Sequence, residues 1–304
     1  MRPKIYKSNS TKEFQQTPAK VYKGNRGDRG NQVNPVNVGN IGGMKHLRII
    51  AIASQKGGVG KTSTAVNLSA ALAESGRKVL LIDLDAQANA TTHLGVNYSG
   101  KGILETVVYE GNPVNLVDLV NPVNIENLDI IPSSDWLGAA EKILATEAGA
   151  ETILRAGIAS LPADRWDYIM LDCPPSLGVL TINGLVAARE VLVPVAGHYL
   201  AVKGLAQLLL TVQKVKERLN PALEITGILP CRISGRTAHA KEVIERLRER
   251  FGDLVFDTVI RENIRIAEAP GFGQPITSYD SRSAGAIDYR ALAAEVIRQE
   301  GERK

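Results

Sequence analysis

Short apolar runs alternate with amphipathic segments of helical length along residues 47–304. Each run is almost continuously apolar, as strands are when helices cover both faces of a parallel sheet. Right-handed crossovers between such strands predict an α/β fold with one doubly wound, mostly parallel sheet. The predicted strands are 47–54, 78–85, 128–133, 166–174, 190–196, 224–233 and 254–260. The predicted helices are 61–75, 136–158, 178–188, 200–219, 238–251 and 285–300.

Residues 1–46 differ from the rest of the chain because they show neither a helical nor a strand period. They are rich in Asn, Gly, Lys and Gln and too poor in apolar residues to offset the entropy of ordering. We therefore expect a disordered tail at 1–46 and a single domain at 47–304. The net charge of +4 divides into +8 over residues 1–48 and −4 over the remainder. Such a tail either adds non-specific affinity for DNA or is only a solvated leader.

Several classes of protein are disfavoured by composition. Two cysteines, Cys173 and Cys231, are too few for a disulfide framework or a four-cysteine metal site, which favours reduced thiols and a cytoplasmic location. No apolar run reaches the roughly 18 residues of a spanning helix, and the basic N-terminus lacks the apolar stretch of a secretory signal. An aromatic content of 5% argues against a base-stacking surface for single-stranded nucleic acid.

A glycine-rich segment, Ser54-Gln55-Lys56-Gly57-Gly58-Val59-Gly60-Lys61-Thr62, joins the first predicted strand to the first predicted helix. Glycines let backbone N–H groups turn toward a phosphate chain, and the helix N-terminus adds positive potential. Lys61 is placed to reach the β- and γ-phosphates of a nucleotide, and the Thr62 hydroxyl is placed to bind Mg²⁺. The predicted phosphate-binding residues are Lys56, Gly57, Gly58, Val59, Gly60, Lys61, Thr62 and Ser63.

Carboxylates follow two further predicted strands. Asp83 and Asp85 stand at i and i+2 at the carboxyl end of the second strand, the edge where ligands bind in such sheets. One of them can act near the water shell of a metal while the other positions an attacking water. Asp172 ends the apolar strand Tyr168-Ile169-Met170-Leu171, and we expect it to hold Mg²⁺ through water opposite Thr62. We interpret Cys173, which follows it, as a small buried residue.

The loop departs from the standard phosphate loop, because Gln55 stands where that loop has its first glycine and Lys56 is an additional lysine. Lys-Gly-Gly-Val-Gly-Lys-Thr resembles the deviant Walker A loop of the ParA/MinD group of ATPases. The resemblance implies that Lys56 reaches across a dimer interface to the nucleotide of the partner, and that Lys56 and Lys61 are catalytic. By the same resemblance Asp85 is the catalytic water-positioning residue, and Asp83 lies in the second shell of the metal. Ala86 and Ala88 replace the usual Pro and Gly of that family.

The resemblance to ParA/Soj partition ATPases covers about residues 47–298. Gly235-Arg236-Thr237 and the segment 259–270 resemble loops that line the adenine pocket and carry DNA-binding arginines in that family. Arg236 and Arg265 are therefore the candidates for DNA binding. Arg232, Asn263 and Glu268 are the candidates near adenine. Arg261 and Glu262 depart from the family's usual Pro-Arg.

The resemblance further implies an ATP- and Mg²⁺-dependent sandwich dimer that binds non-specific DNA at the nucleoid. A ParB-like, centromere-bound partner would stimulate hydrolysis and release the dimer. The main alternative is a MinD-like membrane-associated regulator, which usually ends in an amphipathic helix with bulky apolar anchors. The segment from Ala291 to Lys304 contains both acidic and basic residues and lacks such anchors, so no membrane binding is expected.

Two other classes of protein contain the same kind of phosphate loop. An iron–sulfur carrier or nitrogenase-reductase-like enzyme would need a cluster-ligand cysteine pattern, which two isolated cysteines do not supply. A ParA-like ATPase that positions a cargo other than DNA, such as a chemoreceptor array, shares every motif described above.

Overall fold

The structure is a computed structural model that describes residues 47–97, 115–134, 136–197, 200–234 and 238–302. These residues form one eight-stranded sheet with the strand order β3-β4-β2-β5-β1-β6-β7-β8. All neighbouring strands are parallel except β3 and β4. The predicted fold class is thereby confirmed. The strands are β1 (Arg48–Ile52), β2 (Val79–Asp83), β3 (Asn121–Pro122), β4 (Leu128–Ile131), β5 (Tyr168–Asp172), β6 (Glu190–Ala196), β7 (Glu224–Ile233) and β8 (Ile260–Arg261).

Helices connect the strands on both faces of the sheet. In the described part of the chain they are α1 (Lys61–Glu74), α2 (Asn89–His93), α3 (Leu137–Leu144), α4 (Ile153–Ala159), α5 (Val179–Ala187), α6 (Leu200–Arg218), α7 (Ala238–Phe251), α8 (Ile264–Glu268), α9 (Ile276–Tyr279) and α10 (Ala284–Glu302). The tail at 1–46 lies outside the described residues. None of the helices placed here is both long enough and apolar enough to cross a membrane.

The core lies in two layers, because successive side chains of a strand point to opposite faces of the sheet. On β1, Ile50 and Ile52 pack against α1 and α10, whereas Ala51 packs on the other face with α5 and α6. The same alternation holds on β2 and β5. Burial on both faces explains why these strands are continuously apolar in sequence.

The strand predicted at 254–260 is wrong over most of its length. Only Ile260–Arg261 is a strand, and Val255 makes an isolated bridge to Ile228. The N–H groups of Asp257 and Thr258 donate instead to the carboxylate of Glu295 on α10, at 2.8 and 3.0 Å. These two backbone groups are therefore paired with a side chain and not with a neighbouring strand.

The helix predicted at 136–158 is also interrupted. It consists of α3, a 3₁₀ turn at Ala150–Thr152, and α4. α3 ends at Leu144, and Gly149, directly before the 3₁₀ turn, has φ of 80°, a left-handed conformation that a continuous helix cannot contain. The hydrophobic period continues across the break because both pieces bury apolar residues against the same layer of the core. Periodicity alone therefore did not reveal the interruption.

The last helix, α10, is fixed to the body of the protein by buried and half-buried polar contacts. Arg48 on β1 forms a buried ion pair with Glu190 on β6 and donates to the carbonyl of Val296 on α10. Glu300 accepts hydrogen bonds from Tyr168 and Arg77. A helix held in this way is an integral part of the core.

We expect Glu295→Ala to lower the free energy of unfolding by about 1–2 kcal/mol, because it leaves the Asp257 and Thr258 N–H groups without their acceptor. Urea denaturation followed by circular dichroism measures this change. Arg298→Ala, at an exposed position on the same helix, is the control and should change stability by less than about 0.5 kcal/mol. Equal stability of the two variants would contradict a stabilising role for the hydrogen bonds from Asp257 and Thr258 to Glu295.

Candidate nucleotide-binding site

The predicted phosphate loop runs from β1 to α1 at the carboxyl edge of the sheet. Gly58 and Gly60 have φ of 71° and 92°, in the left-handed region that glycine adopts without strain. Gly60 is the N-cap of α1, and neither a side-chain cap nor an acidic residue in the first turn compensates the helix N-terminus. Free N–H groups and the helix dipole at this point attract an anion.

Asp172 is fully buried at the end of β5, and neither carboxylate oxygen has a hydrogen-bond partner among the described residues. Burial raises the pKa of Asp172 to about 7, and the nearby Lys61 ammonium opposes this rise. The Thr62 side chain is close enough to this carboxylate to lower its pKa as well. A buried carboxylate without a partner is costly unless a cation or a proton compensates it.

This arrangement fits a magnesium ion shared with nucleotide phosphates. Oxygen ligands from one carboxylate, one hydroxyl and a substrate are the usual environment of Mg²⁺. No group of three or more His, Cys, Asp or Glu side chains within the described ranges could hold a metal by itself. The protein thus offers part of a coordination sphere, as expected where phosphate oxygens complete it.

Asp83 and Asp85 are both buried, but their surroundings differ. Asp83 Oδ2 accepts from the N–H and the hydroxyl of Thr91 at 2.9 and 2.8 Å, and Asp83 Oδ1 accepts from the Asp85 N–H at 3.1 Å. Burial raises the pKa of Asp83 to about 6 despite these bonds. Asp85 Oδ1 accepts only from the N–H of Gln87, at 3.0 Å, among the described groups. Asp83 therefore fixes the loop 84–91, and that loop carries Asp85.

Lys56 is half-buried, and its aliphatic stem lies over Gly204 on α6. A Cβ added at Gly204 would come within 3.3 Å of Lys56 Cγ. The side chain thus follows the surface of its own subunit for the length of its stem. No feature of the sequence near Lys56 identified Gly204, since the two positions are 148 residues apart.

A cavity of about 580 Å³ adjoins the phosphate loop. Gly58, Gly60 and Ser63 line one side, and residues 260–264 with Tyr289 of α10 line another. The volume is in the range of small-ligand sites. Its position next to the uncapped end of α1 suits the nucleoside of a bound nucleotide. Tyr289 was missed by sequence reasoning because it lies within a helix with no motif.

The residues predicted near adenine are not all in this cavity. Arg232 lines it, has φ of 52°, and donates to the carbonyl of Gly58 at 2.9 Å. Asn263 also lines it, while its side chain caps α8 by accepting from the Arg265 N–H at 2.9 Å. Glu268 is not among the lining residues described, and its carboxylate accepts from Arg265 and Tyr279.

Of the two DNA candidates, Arg265 lies within the described part of the chain. Arg236 lies outside the described residues. Arg265 is exposed on α8 but pairs with Glu268 at 2.9 Å and with Asp280 at 3.7 Å. The charge of Arg265 is therefore partly neutralised by these two carboxylates.

Both cysteines are buried, and burial raises the pKa of each thiol to about 12. Neither thiol is therefore a ready thiolate ligand at neutral pH.

The fold and this site define a P-loop nucleotide-binding protein with a deviant Walker A loop. A model of an AAA domain family (AAA_31) matches residues 47–225. The chain is 45% identical over 251 residues to the sporulation initiation inhibitor protein Soj of Bacillus subtilis, covering 82% of this chain and 98% of Soj. It is 41% identical over 261 residues to the chromosome partitioning protein ParA of Caulobacter vibrioides, covering 85% and 97%. The chain belongs to the ParA/Soj family of ATPases.

Solved structures of related ATP-binding proteins share the fold. Cobyrinic acid a,c-diamide synthase from Mycobacterium smegmatis, with bound ADP and magnesium, matches with a TM-score of 0.73 at 34% identity over 85% of this chain and 97% of that one. The cell division ATPase MinD of Pyrococcus furiosus matches with a TM-score of 0.67 at 28% identity, covering 83% of this chain and 99% of MinD.

Proposed function

We propose that this protein is a partition ATPase that binds ATP with Mg²⁺ and hydrolyses it to ADP and phosphate. The observation that carries the proposal is the buried, unpartnered carboxylate of Asp172 next to Lys61 and the uncapped N-terminus of α1. Backbone N–H groups of residues 57–62 and the Lys61 ammonium hold the phosphates. Thr62 and Asp172 hold the metal, and the cavity beside Ser63 and Tyr289 receives the nucleoside. The bound ADP and magnesium of the Mycobacterium smegmatis structure support this reading.

Phosphoryl transfer needs positioning and charge stabilisation more than covalent chemistry from the protein. Asp85 orients the attacking water, and Asp83 holds the loop on which Asp85 lies. When bound, Mg²⁺ neutralises charge on the phosphate oxygens. Lys61 stabilises the phosphates within its own subunit, and Lys56 supplies a second positive charge to the nucleotide of a partner subunit. The role of Lys56 is that of an arginine finger supplied in trans.

The ATP-bound form is a sandwich dimer that binds DNA without sequence preference, and a ParB-like partner stimulates hydrolysis and releases it. Identity of 41–45% to Soj and to a chromosome partitioning ParA supports this function. The alternative of a MinD-like membrane regulator has less support, because identity to the MinD structure is 28% and α10 is fixed by Arg48 and Glu300. A cargo other than DNA would share the same ATP cycle.

We expect DNA to be retained by this protein with ATP or a non-hydrolysable analogue, and not with ADP. With about four phosphate contacts, affinity should fall roughly a hundredfold between about 50 and 200 mM salt. Fluorescence anisotropy of a labelled duplex in each nucleotide state measures both effects. Equal binding in all three states would contradict the switch.

A point variant with its control, and a deletion of the tail, test where DNA binds. Arg265→Ala should weaken binding and reduce the salt slope by about one unit, since it removes one phosphate contact. Arg248→Ala on α7, also an exposed and ion-paired arginine, is the matched control. Deleting residues 1–44 then shows how much the basic tail adds. Unchanged affinity after that deletion would identify the tail as a leader only.

A further inference from the structure

Helix α3 lies against two segments of the site: the loop after β2, which carries Asp85, and the segment after β5, which follows Asp172. A Cβ added at Gly138 would come 3.5 Å from the Cβ of Ala86, next to Asp85. Just before the helix, Ser133 Oγ donates to the Asp85 carbonyl at 2.6 Å. The Ser133 N–H donates to Thr91 Oγ1 at 3.0 Å. The segment between β4 and α3 is therefore bonded to both ends of the loop that carries Asp85.

One turn further along α3, Glu141 reaches the segment 173–178 that follows Asp172. A Cβ added at Gly178 would come within 3.0 Å of Glu141 Oε1, closer than real Cβ atoms approach. Gly178 is the N-cap of α5 and has φ of −77°, which any residue can adopt. A methyl group at Gly178 would therefore displace the Glu141 carboxylate, the flexible end of that side chain, while the backbone conformation itself accepts any residue.

Glu141 and Asp85 also interact through their charges. Burial, and after it the charge of Asp85, raises the pKa of Glu141. The two acids therefore lie within electrostatic reach, although they come from separate elements and are 56 residues apart. The Glu141 carboxylate thus packs against Gly178 and interacts with the charge of Asp85, so its position depends on both segments.

We propose that Glu141 is a positioning residue for ATP hydrolysis, which acts by coupling the segment 173–178 to the loop of Asp85 through α3. This inference rests on the proposed ATPase function. Movement of Gly178 shifts the Glu141 carboxylate, and α3 carries that shift to Ala86 and Asp85. Glu141 itself touches neither the nucleotide nor the metal in this arrangement.

The test is a double-mutant cycle between Glu141 and Gly178. Glu141→Ala should lower kcat about tenfold with KM within about twofold of the wild type, because the attacking water is misplaced while the phosphates remain held. Gly178→Ala should have a similar effect, since its methyl group displaces the carboxylate. The double variant should be no worse than either single variant, because the empty space left by Glu141→Ala accepts the methyl group. Additive losses, or an unchanged kcat in Glu141→Ala, would overturn the proposal.

Conservative and control variants separate positioning from simple destabilisation. Glu141→Gln keeps the shape that fills the space at Gly178 and should restore kcat to within about threefold of the wild type. Lys142→Ala, on the exposed side of α3, should leave kcat unchanged. A Glu141→Gln variant as slow as Glu141→Ala would show that the charge and not the fit is responsible, and would overturn the coupling proposed here.

Trp136 gives a second readout that a purely structural role would not move. It lies directly before α3 with 57% of its surface exposed, whereas the other tryptophan, Trp166, is buried. Iodide quenching therefore reports mainly on Trp136. A non-hydrolysable ATP analogue should change the quenching in the wild type and not in Glu141→Ala. The same change in both proteins would overturn the coupling. If the wild type itself neither binds nor hydrolyses ATP, the proposed function fails, which is a distinguishable result.

Discussion

Asp85→Ala should abolish most ATP turnover, by about a hundredfold or more, while ATP binding and the ATP-dependent dimer persist. Asp85 is assigned to the attacking water, whereas the phosphates are held by the N-terminus of α1 and by Lys61. The loop should survive the substitution, because Asp83 anchors it through Thr91 and through the Asp85 N–H, a backbone group that alanine retains. The variant therefore removes one chemical group and leaves its support intact.

The measurements are steady-state ATPase turnover, gel filtration with ATP, and retention on DNA. Trapping should appear as a dimer that stays on DNA after ATP is added, because the release step follows hydrolysis in the proposed cycle. Glu147→Ala, at an exposed position after α3, is the control and should resemble the wild type. Turnover in Asp85→Ala above about a tenth of the wild-type rate would argue against a water-positioning role.

Asp83 provides a contrast at the same strand end. Its carboxylate accepts three hydrogen bonds from the loop, so its replacement by alanine frees the Thr91 N–H and hydroxyl in a buried place. Loss of stability, and not a trapped dimer, is the result that this geometry favours. The two aspartates stand two residues apart, and only the resemblance to the ParA family, not their spacing, assigned the water-positioning role to Asp85 and not to Asp83. The hydrogen bonds favour the assignment of support to Asp83.

Local sequence signals predicted the fold and the centre of the candidate site. The apolar strands, Lys61 at the start of α1, and the acids at the ends of β2 and β5 each depend on residues adjacent in the chain. Their meeting at one edge follows from the parallel arrangement of strands, which places the carboxyl ends together. The sequence predicted Asp172 opposite Thr62, whereas its full burial and its position near Lys61 are seen only in the structure.

The remaining contacts depend on pairs far apart in sequence. Glu141 fits against Gly178, Lys56 lies over Gly204, and Arg232 donates to the carbonyl of Gly58. No period or motif marks such pairs, because each depends on how two elements pack and not on either element alone. Two sequence predictions were wrong for the same reason. They are the continuous helix at 136–158 and the strand at 254–260, where the N–H groups of residues 257 and 258 bind Glu295 instead. Propensity describes one segment at a time, whereas tertiary partners decide where the segment ends.

Lys56→Ala should lower turnover about a thousandfold, the scale of an arginine finger lost from a phosphoryl-transfer site. ATP should still bind to the separate subunits, because Lys61 and the N-terminus of α1 remain. Gln55→Ala, at the exposed neighbouring position, is the matched control and should leave turnover unchanged. Fluorescence of a labelled ATP analogue measures binding, and phosphate release measures turnover.

Mixing two inactive variants decides whether Lys56 acts on its own nucleotide or on that of its partner. In a dimer of one Lys56→Ala subunit and one Asp85→Ala subunit, the first subunit keeps Asp85 beside its own nucleotide. If the lysine acts in trans, the nucleotide of the first subunit is also contacted by Lys56 of the second subunit, and one complete site forms. Random pairing of equal amounts should therefore restore about a quarter of wild-type turnover, since about half of the dimers are mixed and each has one complete site. If Lys56 acted in cis, neither site of the mixed dimer would be complete and the mixture would stay inactive. The result is informative because in the structure the aliphatic stem of Lys56 lies along its own subunit, over Gly204.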